Sequence, residues 1–179
     1  PGPLLILGLP FVGLSAAGHL LYRKGHRAVA VAFSLGAVLL LPLLLLILFH
    51  EGGLWLVPPG DAGPFFLDGP VSNRQMQVAL LAACVWAVIL ALRTGTTALS
   101  AVSTLLIFFL SLAVLTDLDL RLWLEEGRWD LLSFHLLPLL LLMAFAGHRM
   151  EAGGRPWFAR PLYVGSVLVL VLSLELLAL

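Results

Sequence analysis

The chain has 179 residues, of which 61% are hydrophobic and 11% charged, and its ten basic and ten acidic residues cancel to a formal net charge of zero. Its mean hydropathy is +1.07, whereas soluble domains run near 45–50% apolar and about 25% charged. That composition excludes a disordered chain, a basic nucleic-acid binder, a disulfide scaffold and a water-soluble enzyme of ordinary make-up, and leaves an all-α, polytopic transmembrane helical bundle.

A helix needs roughly 20 apolar residues to cross about 30 Å of hydrocarbon. Six segments meet or approach that length: 3–22, 28–50, 76–92, 97–116, 131–147 and 161–179. They read as one integral-membrane domain over 1–179. The runs are solidly apolar, where a barrel strand would alternate over about ten residues. The first span has no positive n-region and no A-x-A-like cleavage site, so it reads as a spanning helix and not as a signal peptide. Pro10, Pro42 and Pro138 fall inside spans and predict kinks. The third and fifth segments are short and are expected to borrow a turn from their flanks. Small residues mark packing faces: Gly8, Gly13, Ala17 and Gly18 in the first span, Ala79, Ala82, Ala83 and Ala87 in the third, and Ser100, Ser103 and Ser111 in the fourth. Pro1 at the start, and the apolar run up to Leu179 with no polar flank, predict a longer chain. Cys84 is the single cysteine and leaves no disulfide or thiolate metal site within one chain.

Two longer loops separate the spans. Residues 51–75 combine dense Gly and Pro with Leu54, Trp55, Leu56, Phe65, Phe66 and Leu67, which suits an aromatic belt at the headgroups or, more sharply, a lid or docking surface. Residues 117–130 alternate polar and apolar in their first half, as a strand does, but Asp117 and Arg121 stand four apart, and Trp123, Trp129 and the leucines could line one side of a helix. A short interfacial helix is favoured.

Sorting charge by loop gives the orientation. Arg23, Lys24, Arg27, Arg93, Arg149, Arg155 and Arg160 fall on one side with a single acid, Glu151. Arg74, Arg121 and Arg128 fall on the other with eight acids. The positive-inside rule places the arginine-rich turns in the cytoplasm and both visible ends outside, in a cytoplasmic (inner) membrane.

Glu175 is the one acid inside an apolar run, about 21 Å along its span, and a buried acid in lipid is a candidate for proton or ion handling or for interfacial placement. His135 lies one turn into the fifth span. His50 and Glu51 end the second, and Asp117 and Asp119 follow the fourth. With Glu175 these could converge into an outer-leaflet polar cluster, and histidine with carboxylates is transition-metal chemistry. No metal-ligand spacing supports such a site. His135 alone is placed to ligate a haem or a chlorophyll-type magnesium, and no motif implies a cofactor. The tripeptide Gly-His-Arg occurs at 25–27 and again at 147–149, among the cytoplasmic arginines that form a collar for anionic headgroups. Glu125-Glu126 lacks the arginine of intramembrane abortive-infection-type proteases, Gly165-Ser166 lacks a rhomboid-like surround, and no Walker A loop or dinucleotide fingerprint appears, so no catalytic residue is assigned.

The turn YRKGHR between leucine-rich spans and the stretch TDLDLRLWLEEGRWDLLSFHLLPLLLL resemble parts of uncharacterised bacterial multi-pass membrane proteins. The resemblance implies a bacterial cytoplasmic membrane. The sequence then predicts a non-enzymatic scaffold or accessory subunit, with the bilayer and other membrane subunits as partners and no nucleic acid. A small transporter using Glu175 and a lipid-active enzyme built on His50, Glu51, Asp117 and His135 are the rival expectations.

Overall fold

The computed structural model describes residues 2–52, 73–116 and 129–178, with the side chains of 116 and 129–132 set aside. Six helices make up nearly all of it: α1 (Gly2–Arg23), α2 (Arg27–Glu51), α3 (Asn73–Thr94), α4 (Thr97–Thr116), α5 (Trp129–Ala152) and α6 (Pro156–Leu177). All six are long and apolar enough to cross a membrane, and the described residues contain no strand.

The helix bounds refine the sequence reading. The third helix starts at Asn73 and ends at Thr94, and the fifth runs from Trp129 to Ala152, so each takes at least a turn from its flanks. The loop expected over 51–75 loses its two ends to helices, because Glu51 still belongs to α2 and Asn73–Gln75 open α3. The last helix begins at Pro156, not Pro161. Proline suits a first helical position, where no backbone N–H is needed. The helices run unbroken through Pro10, Pro42 and Pro138. The segment expected as an interfacial helix over 117–130 yields Trp129 and Asp130 to α5; the rest of it, and residues 53–72 of the expected belt or lid, lie outside the described residues.

Three tight turns join the helices in pairs, and each turns on a glycine with positive φ: Gly25 (86°), Gly95 (66°) and Gly154 (73°). At Gly25 the amide donates to the Tyr22 carbonyl while the His26 amide donates to Leu21. The Gly154 and Arg155 amides repeat this on Glu151 and Met150. Both are Schellman closures; Gly95, whose amide donates to Ala91, is the simpler left-handed cap. The repeated Gly-His-Arg is not structurally equivalent at its two sites. Gly25 sits in a turn, whereas Gly147 lies inside α5 against the Tyr163 ring.

Each helix packs chiefly on one or two others, in the order α1–α2–α3–α4–α6–α5. The interior combines small and hydroxylated residues with larger ones such as Leu99, Leu136, Met143 and Phe158. Ala37, Ala79, Ala83, Ala87, Ala91, Ser100 and Ser103 are all fully buried, while Leu9, Phe134, Phe145 and Leu141 are at least 65% exposed. Such an outside would be an aggregation surface in water. In a bilayer it is the lipid face, and small residues inside let helix backbones approach closely. The chain is therefore a multi-pass integral membrane protein whose solvent is lipid. Among the expected packing residues, Gly18 meets Ser34 and Ala30 of α2, but Gly13 is exposed with nothing near its absent Cβ.

Side-chain hydrogen bonds fix which ends lie together. The Tyr22 hydroxyl donates to the Arg93 carbonyl (3.1 Å) and Ser100 Oγ to the Phe158 carbonyl (3.2 Å), bringing the turns at Gly25, Gly95 and Gly154 to one end of the bundle. At the other end Asn73 Nδ2 and Gln77 Nε2 both donate to the Ala113 carbonyl (2.7 and 2.9 Å), and Ser133 Oγ donates to Ser173 (3.0 Å).

Candidate functional site: a cleft beside the arginine-bearing turns

The three turns and the helix ends beside them carry all seven basic residues that the sequence groups together, and the bundle holds them at one end. Arg23, Arg93 and Arg149 occupy last turns of helices, where a cation meets the negative pole of the helix dipole. Lys24, Arg27, Arg155 and Arg160 flank them, all exposed. The one acid at this end among the described residues, Glu151, accepts a 2.8 Å hydrogen bond from the Tyr163 hydroxyl across α5 and α6.

Beside this end, α1 and α3 both rest on α2 without packing closely on each other. They are pinned by the Tyr22–Arg93 bond and leave a cleft of about 1010 Å³ between them. That is the upper end of the size range of ligand pockets. Its floor is α2 at Ser34, Ala37 and Leu41, its α1 wall carries Phe11, Val12, Ser15, His19, Tyr22 and Arg23, and its α3 wall carries Trp86, Leu90, Arg93 and Thr94. The floor is hollow because small side chains occupy the first two of those α2 positions. Polarity is graded along the cleft. Two guanidiniums and an imidazole stand at the turn end with no acid in the lining, and Phe11, Val12 and Leu41 line the far end.

Two polar atoms beside this cleft lack partners. Ser15 Oγ and Trp86 Nε1 are shielded from solvent and make no hydrogen bond. Helical hydroxyls normally return to a carbonyl three or four residues back, as Ser34, Ser103, Thr104, Ser111, Ser166 and Ser173 do here. Ser15 does not. An unmet buried donor costs about 1–3 kcal/mol, so two of them beside one cavity mark that wall as incomplete by itself.

The residues expected to form an outer polar cluster are placed apart from this cleft. His135 is half-buried and lines a smaller cavity of about 350 Å³ between α4 and α5, with Ser111 and a ring of leucines and valine. His50 and Glu51 are exposed at the end of α2, and Glu175 is exposed on α6; none of the three lines either cavity. Asp117 and Asp119 lie outside the described residues. Among the described residues, no three of His, Cys, Asp and Glu come close enough to hold a metal ion.

Of the cleft residues, only Arg23, Arg93 and His19 stand out in the sequence by type. Ser15, Tyr22 and Trp86 do not, although Ser15, His19 and Tyr22 repeat at i, i+4 and i+7, a polar stripe on an otherwise apolar helix. That periodicity is the signal that finds the α1 wall. The α3 wall has no such pattern, since one tryptophan among alanines reads as packing. Comparison with protein-family models, with curated proteins and with solved structures finds no match to this chain.

Proposed function

We propose that this multi-pass protein is a non-enzymatic scaffold or accessory subunit of a bacterial cytoplasmic-membrane complex, with its arginine-bearing end facing the cytoplasm. One observation carries the reading. Four polar side chains within the bundle join helix to helix: Asn73 and Gln77 to Ala113, Ser100 to Phe158, Ser133 to Ser173. A transport path would instead need polar groups lining a route near the midplane, and Glu175, the group on which that rival depends, is exposed on α6. A lipid-active enzyme needs groups within hydrogen-bond or one-water reach of shared substrate atoms. His50 at the end of α2 and His135 between α4 and α5 belong to helices that are not principal neighbours. The resemblance of YRKGHR and of the α4–α5 stretch to bacterial multi-pass proteins, and the positive-inside rule, support the membrane and the orientation.

The test is extraction from native membranes in a mild detergent, followed by native electrophoresis and cross-linking mass spectrometry. Co-migration with defined membrane subunits is expected. Recovery of a free monomer alone, with no cross-linked membrane partner, overturns the proposal.

A further inference from the structure

The cleft between α1 and α3 has a chemistry that neither scaffolding nor simple anchoring requires. In a bilayer an open cleft fills with lipid, and its lining decides which lipid is held. This one measures about 1010 Å³, with Ser15 Oγ and Trp86 Nε1 left unpaired beside it. Its two ends call for opposite things. Arg23 and Arg93, with His19 and no acid, make the turn end a site for an anion, and guanidiniums are the side chains best shaped for phosphate. Phe11 and Leu41 make the far end a site for hydrocarbon. From Arg23 to Phe11 the α1 wall runs about 18 Å at 1.5 Å per residue, a little over half of a hydrocarbon core of about 30 Å. An anionic head at the membrane surface joined to a tail reaching the midplane is the description of a lipid in one leaflet.

We infer that the cleft seats one anionic glycerophospholipid drawn from the surrounding bilayer, its phosphate held between Arg23 and Arg93 and an acyl chain laid along Phe11, Val12 and Leu41. Ester carbonyls lie between such a phosphate and its chains. They are acceptors without donors, and the Ser15 hydroxyl and Trp86 N–H, both shielded from solvent, meet them once their side chains turn toward the cleft. The inference rests on the chain crossing a membrane. It does not depend on the scaffold reading, nor on which side the arginine-bearing end faces.

The experiment uses the full chain, reconstituted in equimolar phosphatidylglycerol and phosphatidylcholine, re-extracted in mild detergent, and examined by native mass spectrometry and by lipid analysis of the washed protein. The wild type is expected to retain a single phosphatidylglycerol per chain in preference to phosphatidylcholine. Arg23→Gln with Arg93→Gln should lower that retention roughly tenfold or more, from about 1 kcal/mol per basic residue at the surface. Val12→Trp, at an exposed position on the far wall, should also displace the lipid while both arginines remain. Helix content by circular dichroism and a monodisperse elution profile check that each variant is folded. Equal retention of the two lipids by the wild type, or undiminished retention by the arginine pair, overturns the inference. Loss in the arginine pair with full retention in Val12→Trp also overturns it, because a surface collar would then suffice. Loss of the complex with partner subunits, with lipid retention intact, would bear on the scaffold reading alone.

Discussion

Gly165 of α6 faces Thr104 of α4 so closely that a Cβ built on the glycine would stand 2.7 Å from the threonine Cγ2 methyl and 3.3 Å from Met143 Sδ of α5. Three helices meet at this point, and the missing side chain is what lets them meet. Threonine is branched at Cβ and stiff at χ1, so its methyl cannot simply swing aside. Gly165→Ala is expected to destabilise the bundle by about 1–3 kcal/mol through overpacking, measured by denaturation in mixed micelles. Gly13→Ala is the control. With nothing within 4 Å of its Cβ position, it should be neutral or slightly stabilising through helix propensity.

Ser133 and Ser173 differ in what their hydroxyls do, although both are buried at the contact between α5 and α6. Ser133 Oγ donates across to the Ser173 carbonyl, while Ser173 Oγ donates back to Val169 in its own helix. Ser133→Ala removes the interhelical bond and is expected to cost about 0.6 kcal/mol, the average for such bonds in membrane proteins. Ser173→Ala leaves the accepting carbonyl in place and should cost clearly less. Paired denaturation curves of the two variants distinguish them.

Gly25 and Gly154 sit at φ of 86° and 73°, where a Cβ crowds the following carbonyl. Each alanine substitution is expected to cost about 1–2 kcal/mol. Asparagine, which visits this region more readily, should cost less. At neither glycine does the Cβ position meet an atom beyond its own chain neighbours within 4 Å, so the loss measured is one of backbone conformation and not of packing.

The hydrogen bonds that gather the three turns at one end predict a labelling pattern. In a Cys84→Ala background, single cysteines at Lys24, Thr97 and Arg155 should react with a membrane-impermeant maleimide from the same side of sealed vesicles, and a cysteine at Arg74 from the other. If the arginine-bearing end faces the cytoplasm, the first three are protected in right-side-out vesicles. Cys84 itself, 7% exposed among the helices, should stay unreactive in the wild type until the protein is denatured.

The candidate site was only partly legible in the chain. Arg23 and Arg93 are visible as charges after apolar runs, and His19 as a histidine near them, but seventy residues separate the two arginines and nothing local joins them. The outer group of Glu175, His135, His50 and Glu51 is equally visible by residue type. The structure puts the described members on three different helices, and His135 lines the cavity between α4 and α5. Residue type marks what a side chain could do; which side chains share a space is decided by how the helices pack.

Hydrophobic run length and the distribution of arginines determined by themselves that six segments are long and apolar enough to cross a membrane and that the basic turns group together. Both follow from the transfer free energy of side chains between water and lipid, a property each residue carries wherever it is placed. The tertiary structure decided which helices touch, which alanines, serines and leucines are turned inward and which leucines and phenylalanines outward, and that α1 and α3 part over a hollow stretch of α2 to leave a cleft. Leucine, alanine and serine are all tolerated in a span, and lipid is as apolar as a leucine side chain. Hydropathy therefore cannot say which face of a helix meets a neighbour; close contact between small side chains and a few directed hydrogen bonds settle it.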